Sequence, residues 1–244
     1  MSIQQTLEKL HGMRLKGIER ALEEQLQRGD AAELSSDERL ALIVDREWQL
    51  RDERRTNRRL KQAKLKQRAC AEDIDYRYPR GLDRSLMQDL LSAHWVRSRR
   101  NLIITGATGL GKTWLACALG DKACREGMSV EYCRVPRLLT ELAIARADGT
   151  LLKFLDRLAR VDLLVPDDGG LSPLESQGPH DLLELVDDRA GKRSLLVTSQ
   201  LPTNKWHSMV ADPSVADALL DRIVGTAQQI ALKGASMRKG DAEN

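Results

Sequence analysis

Gly106-Ala107-Thr108-Gly109-Leu110-Gly111-Lys112-Thr113 decides how this chain folds. The apolar run NLIIT (101–105) precedes it and WLACALG (114–120) follows. The spacing is G-x-x-x-x-G-K-[ST], a loop between a strand and a helix whose main-chain N–H groups cradle phosphates. Its glycines let the backbone curl tightly enough to aim several donors inward. A helix starting at Lys112 adds the positive end of its dipole. In that setting the Lys112 ammonium reaches the β- and γ-phosphates, and the Thr113 hydroxyl coordinates Mg²⁺. The eight residues are therefore expected to bind ATP, with Mg²⁺ as the companion ion.

Strand and helix signals alternate on the C-terminal side of the loop. SVEYCR (129–134), DLLVPD (162–167), SLLVTS (194–199) and QQIAL (228–232) are strand candidates. Between them lie a helix ending at Gly127, one opened by Pro136, the run HDLLELVDDR, and one from Asp212-Pro213 to about Val224. This alternation predicts an α/β fold, a parallel sheet with helices on both faces.

LLVPDD (163–168) ends in two acids. A cation facing a triphosphate needs a carboxylate from a nearby strand end, so Asp167 is the expected Mg²⁺ ligand, directly or through water. Asp168 is the expected catalytic acid that orients and deprotonates the attacking water. Pro166 conflicts with this placement. Proline donates nothing to a ladder, yet this strand is expected beside the P-loop strand in mid-sheet. Weak turnover is the expected consequence.

The N-terminal third has a different texture. Ile3, Leu7, Leu10, Leu15, Ile18, Leu22 and Leu26 recur at helical spacing, predicting one amphipathic helix that stops near Gly29-Asp30. Ser35 and Glu38 form a capping-box pattern for a second helix, with Leu40, Ile43, Trp48 and Leu50 on its apolar side. That helix runs into a basic arm. Residues 46–68 carry ten Lys and Arg against three acids, a local +7, while the whole 244-residue chain is only +3. Arg51, Arg54, Arg55, Arg58, Arg59, Lys61 and Lys64 are the expected DNA contacts, mostly to phosphates. The predicted organisation is a small all-helical basic domain over 1–68, a connector over 69–100 with a short helix capped by Asp83, and the α/β domain over 101–244.

Composition excludes other classes. Hydrophobic residues at 41% and charged residues at 31% fit a soluble globular chain. No apolar run approaches the ~20 residues that span a bilayer, and no secretory h-region opens the chain, so a cytoplasmic protein without membrane partners is expected. The four cysteines form no CxxC and the four histidines show no ligand spacing.

YPRGLDRS (78–85), NLIITGATGLGKTWLACALG (101–120), VDLLVPDDGGLSPL (161–174), DLLELVDDR (181–189), VTSQLPTNKWH (197–207), ADPSVADALLDR (211–222) and LKGASMRK (232–239) together carry a resemblance to a known family. The chain resembles the IstB family, ATPase helpers of insertion-sequence transposons, which are AAA+ proteins related to the DnaC helicase loaders. The resemblance implies a three-layer P-loop AAA+ fold. It implies an ATP-bridged oligomer that binds and deforms duplex DNA and delivers it to a cognate transposase. Ser199 and Gln200 then resemble sensor 1, Arg222 the catalytic arginine finger that reaches a neighbour's nucleotide, and Arg238 a second sensor. The chain departs from the family pattern at Pro166, Gly169, Gly225, Thr226 and Gln229. Alternatives are a DnaC-like helicase loader, a DNA-binding protein with a hydrolytically weak nucleotide site, and a small-molecule P-loop kinase. The last is disfavoured because the arginines at 134–160 lie on helix-like stretches rather than on a Gly-rich lid.

Overall fold

The computed structural model describes residues 2–27, 34–169 and 177–237. Two compact units are distinguished, residues 1–58 and 59–244. The 69–100 stretch falls within the second, and the basic arm is divided between them.

The first unit holds α1 (Ile3–Gly12), α2 (Lys16–Gln27) and most of α3 (Ser36–Ala63). The single first helix expected from the leucine spacing is in fact two. Gly12 ends α1, and Arg14 takes a left-handed φ of 59°, so the helical hydrogen bonds cannot continue. The predicted stop at Gly29-Asp30 lies outside the described residues. The Ser35–Glu38 capping box is present: the Glu38 N–H donates to Ser35 Oγ at 3.3 Å, and Glu38 Oε2 accepts the Ser35 N–H at 2.8 Å.

The apolar side expected for α3 is corrected. Leu40 and Trp48 are 61% and 65% exposed. The inward face is instead Ile43, Glu47 and Leu50. Glu47 turns inward because α2 starts with unsatisfied N–H groups: its Oε2 accepts from Gly17 N at 2.7 Å and Ile18 N at 3.3 Å, and Arg51 Nε donates to Oε1 at 2.7 Å. Burial pushes the Glu47 carboxyl up, but Arg51 and the two N–H groups outweigh it and hold it below its usual range. A side chain at Gly17 would meet Glu47 Cα at 2.5 Å, so glycine is required there.

In the second unit, β1 (Asn101–Thr105), β2 (Val130–Arg134), β3 (Leu163–Asp167), β4 (Ser194–Ser199) and β5 (Ala227–Ala231) form a parallel sheet in the order β2-β3-β4-β1-β5. Strand residues alternate between two cores. Val130, Tyr132, Leu163, Val165 and Leu196 pack with α4 (Arg84–Leu91), α5 (His94–Arg97) and α6 (Lys112–Arg125). Leu164, Leu195 and Val197 pack with α7 (Val135–Ala147), α8 (Leu151–Arg160), α9 (Gly178–Arg189) and α10 (Pro213–Val224). The expected three-layer α/β arrangement is therefore found. Asp83 caps α4 by accepting from Leu86 N at 3.0 Å, and Asp212 caps α10. No described helix is long and apolar enough to cross a membrane.

One expectation about the sheet is corrected. β3 does not lie beside β1, because β4 stands between them. Pro166 is accommodated by the register. Leu163 donates its N–H to Ser129 on the β2 side, so alternation points the nitrogen of residue 166 toward β4. The β3–β4 ladder is in register only at Leu163 and Leu164, so the donor that proline lacks falls beyond it.

Candidate nucleotide site

The predicted loop joins β1 to α6 and borders a cleft of about 510 Å³. Gly109 and Gly111 adopt φ of 90° and 82°, which L side chains rarely take. Both are also closed off from behind. A Cβ on Gly109 would strike Ser236, and one on Gly111 would sit 2.6 Å from Arg80 Nη1. The Lys112 ammonium donates to the carbonyls of Gly106 at 2.7 Å and Ala107 at 2.9 Å. Thr108, Gly109, Gly111, Lys112 and Thr113 line the cleft, whereas the Leu110 side chain is buried in the core.

The strand ends bring the acids to the loop. Asp167 is fully buried. Thr113 Oγ1 donates to it at 2.9 Å across 54 residues of sequence, and Tyr132 Oη donates to its Oδ2 at 2.5 Å. Thr198 Oγ1 donates to Oδ1, and Lys66 Nζ lies 3.9 Å from Oδ2. Burial first, then the neighbouring carboxylate, pushes the Tyr132 phenol well above its ordinary value, so it stays a donor. Asp168 lines the cleft with a left-handed φ of 61°. Its N–H donates to Thr198 Oγ1 at 3.2 Å, and Arg134 Nε donates to its carboxylate at 3.0 Å.

The residues fit a divalent cation. Among the described residues no three His, Cys, Asp or Glu side chains cluster to hold an ion. The Thr113 hydroxyl and Asp167 carboxylate are hard oxygens facing one another. That is the sparse protein donor set Mg²⁺ uses when phosphates and water supply the rest.

Other predicted residues are placed differently. Gln200 lines the cleft. Ser199 does not: strand alternation turns it away, and its Oγ accepts the Leu201 N–H at 3.1 Å. Thr198, one residue earlier, makes the contacts with the acids. Arg222 lies on α10 and pairs through Nε with Asp187 of α9, while its Nη1 donates to the Ala218 carbonyl at 3.0 Å. Arg238 lies outside the described residues. Of the predicted DNA contacts, Arg51 pairs with Glu47; Arg54, Arg55, Arg58, Arg59, Lys61 and Lys64 have no ion-pair partner among the described residues.

Sequence reading did not single out Thr198, Tyr132 or Arg80. Arg80 is 2% exposed and holds the loop from beneath. It donates to the carbonyls of Leu110 at 3.0 Å and Asp75 at 3.1 Å and touches Met237 Sδ at 3.3 Å. Burial lowers its pKa. Residues 232–237 run back across the same region. Leu232 N donates to Thr105 O, Lys233 N to Arg80 O, Met237 N to Gly109 O, and Tyr78 Oη to Ala235 O. Strand parity would have exposed Thr198, which shares a face with Gln200. Nothing local marks Tyr132 or Arg80.

The profile of the family described as IstB-like ATP binding protein matches residues 8–244. The chain is 48% identical over 234 residues to the insertion-sequence ATP-binding protein y4pL of Sinorhizobium fredii, covering 96% of each. It is 54% identical over 205 residues to the ATP-binding protein of insertion sequence IS1162 from Pseudomonas fluorescens, covering 84% of this chain and 89% of that one. Among solved structures, DnaI matches with a TM-score of 0.59 at 21% identity, over 68% of this chain and 92% of that one. AMPPCP-bound DnaA from Aquifex aeolicus matches with a TM-score of 0.58 at 19% identity, over 72% and 53%. These two likenesses concern the fold alone, a parallel sheet between helices with the P-loop after β1.

Proposed function

The chain belongs to the IstB-like ATP binding protein family, and from that membership we propose that it is an ATP-dependent regulator of transposition. It binds ATP with Mg²⁺, assembles into an ATP-bridged oligomer on duplex DNA, deforms that DNA, and recruits and activates its transposase in the cytoplasm. The observation that carries the reading is the meeting of the P-loop, Lys112, Thr113 and Asp168 in one cleft, with the buried Asp167 bonded to Thr113.

The roles follow from the groups present. Main-chain N–H groups of residues 107–113 and the Lys112 ammonium hold the phosphates, whereas the Gly106 N–H is spent on the Ser199 carbonyl. Thr113 and Asp167 hold Mg²⁺, which when bound offsets phosphate charge. Asp168 orients the attacking water and takes its proton, and Gln200, which lines the cleft, serves the γ-phosphate. Arg222 serves a neighbouring protomer's nucleotide once its pairing with Asp187 opens. That pair is partly solvent-exposed, so opening it costs little. Arg51 to Lys64 grip DNA phosphates. Pro166 stands next to the acids, and slow turnover remains part of the proposal.

The test is the size of the full-length protein on duplex DNA with ATP, with ADP and without nucleotide. We expect a larger assembly with ATP alone, and none for Lys112→Ala, which also loses nucleotide binding in calorimetry. Unchanged nucleotide affinity in Lys112→Ala would overturn the assignment of the loop. Capture of a hexameric helicase instead of a transposase would favour a helicase loader.

A further inference from the structure

We infer that Tyr132 is a positioning residue for the metal-binding carboxylate, so that the nucleotide site draws on strand β2 as well as on β1, β3 and β4. The inference rests on the proposed ATP–Mg²⁺ site. The register pairs Tyr132 with Val165, and alternation places Asp167 on the same face as Val165, one step further along β3. The Tyr132 ring is buried, and its hydroxyl donates to Asp167 Oδ2 at 2.5 Å.

The division of labour among the hydroxyls around Asp167 gives Tyr132 its role. Three of them donate to this one carboxylate: Thr113, Thr198 and Tyr132. The Thr113 hydroxyl is shared between both oxygens, at 2.9 Å to Oδ1 and 3.0 Å to Oδ2, and its own oxygen is the atom that a cation would take. Beside this shared donor, Thr198 holds Oδ1 and Tyr132 holds Oδ2, one further donor on each oxygen. A carboxylate has about four lone-pair sites, so a cation finds room where the Thr113 hydroxyl yields while Thr198 and Tyr132 stay in place. Without the Tyr132 hydroxyl, Oδ2 keeps only the shared Thr113 donor and the Lys66 ammonium at 3.9 Å, and the carboxylate is held less firmly. Partners that orient a ligating group typically carry about 10- to 100-fold in metal affinity or activity.

The test uses the full-length protein and a non-hydrolysable fluorescent ATP analogue, titrated with Mg²⁺ and separately measured in EDTA. Tyr132→Phe keeps the ring and its packing. We expect its Mg²⁺ half-saturation to rise about tenfold, with affinity in EDTA unchanged. A half-saturation within about twofold of the parent protein, or an equal loss in EDTA, overturns the inference. Failure of the parent protein to bind the analogue under either condition overturns the proposed function itself. Should the Phe variant not fold, fluorotyrosine labelling of the parent chain, which has three tyrosines, answers the same question. The ¹⁹F resonance retained in both Tyr76→Phe and Tyr78→Phe should shift when Mg²⁺ is added to the nucleotide complex, and a fixed resonance overturns the inference.

Discussion

At the scale of single residues, Asp168 shows how backbone and chemistry are joined. A left-handed φ of 61° is unfavourable for most side chains, but Asp and Asn tolerate it because their short polar groups bond locally. Asp168→Asn should therefore keep the turn, the Thr198 contact and nucleotide affinity while removing the proton acceptor. Phosphate release should fall by about 10²- to 10⁴-fold; turnover near that of the parent protein would place the base elsewhere. The acids and the loop were legible in the sequence because phosphate and Mg²⁺ chemistry demands particular groups at fixed spacing. Thr198 was missed by one position, since a strand end reveals its polar residues but not which face each occupies. Tyr132 and Arg80 were illegible for a deeper reason. Each acts through a partner set by sheet register or by chain return, which no local pattern encodes.

Among elements, the strands of the α/β unit were readable because each is a short apolar run bounded by turn signals, and its helices because caps and prolines mark their starts. The first unit was read less well. Leucine periodicity passes through the break between α1 and α2 without interruption, since the break turns on one left-handed residue, Arg14. The inward face of α3 was misassigned because its central buried residue is an acid, Glu47, whose value lies in capping another helix. Gly17 allows that approach. Gly17→Ala should destabilise the first unit by about 2 kcal/mol through forced separation of α2 and α3, read as a lower midpoint in chemical denaturation followed by circular dichroism. A midpoint equal to or above the parent's would show that the helices can yield without cost.

For the molecule as a whole, charge is distributed by task. The arm's surplus cations have few acidic neighbours to satisfy them, while a mildly acidic remainder keeps the net value at +3. Replacing Arg54, Arg55, Arg58 and Arg59 by Ala should lower the slope of log affinity for duplex DNA against log salt by about 3 to 4, if each meets one phosphate. Fluorescence anisotropy across a sodium chloride series measures this, and an unaltered slope would remove the arm from the DNA interface.

The return of residues 232–237 across the P-loop makes the far end of the described chain part of the nucleotide cradle. Ser236 and Met237 serve as a backstop: they fill the space behind two loop glycines and tie Gly109 in place. Trimming the protein before Leu232 would thus be no neutral shortening. It would remove together the hydrogen bonds that this segment makes with Thr105, Arg80, Tyr78 and Gly109.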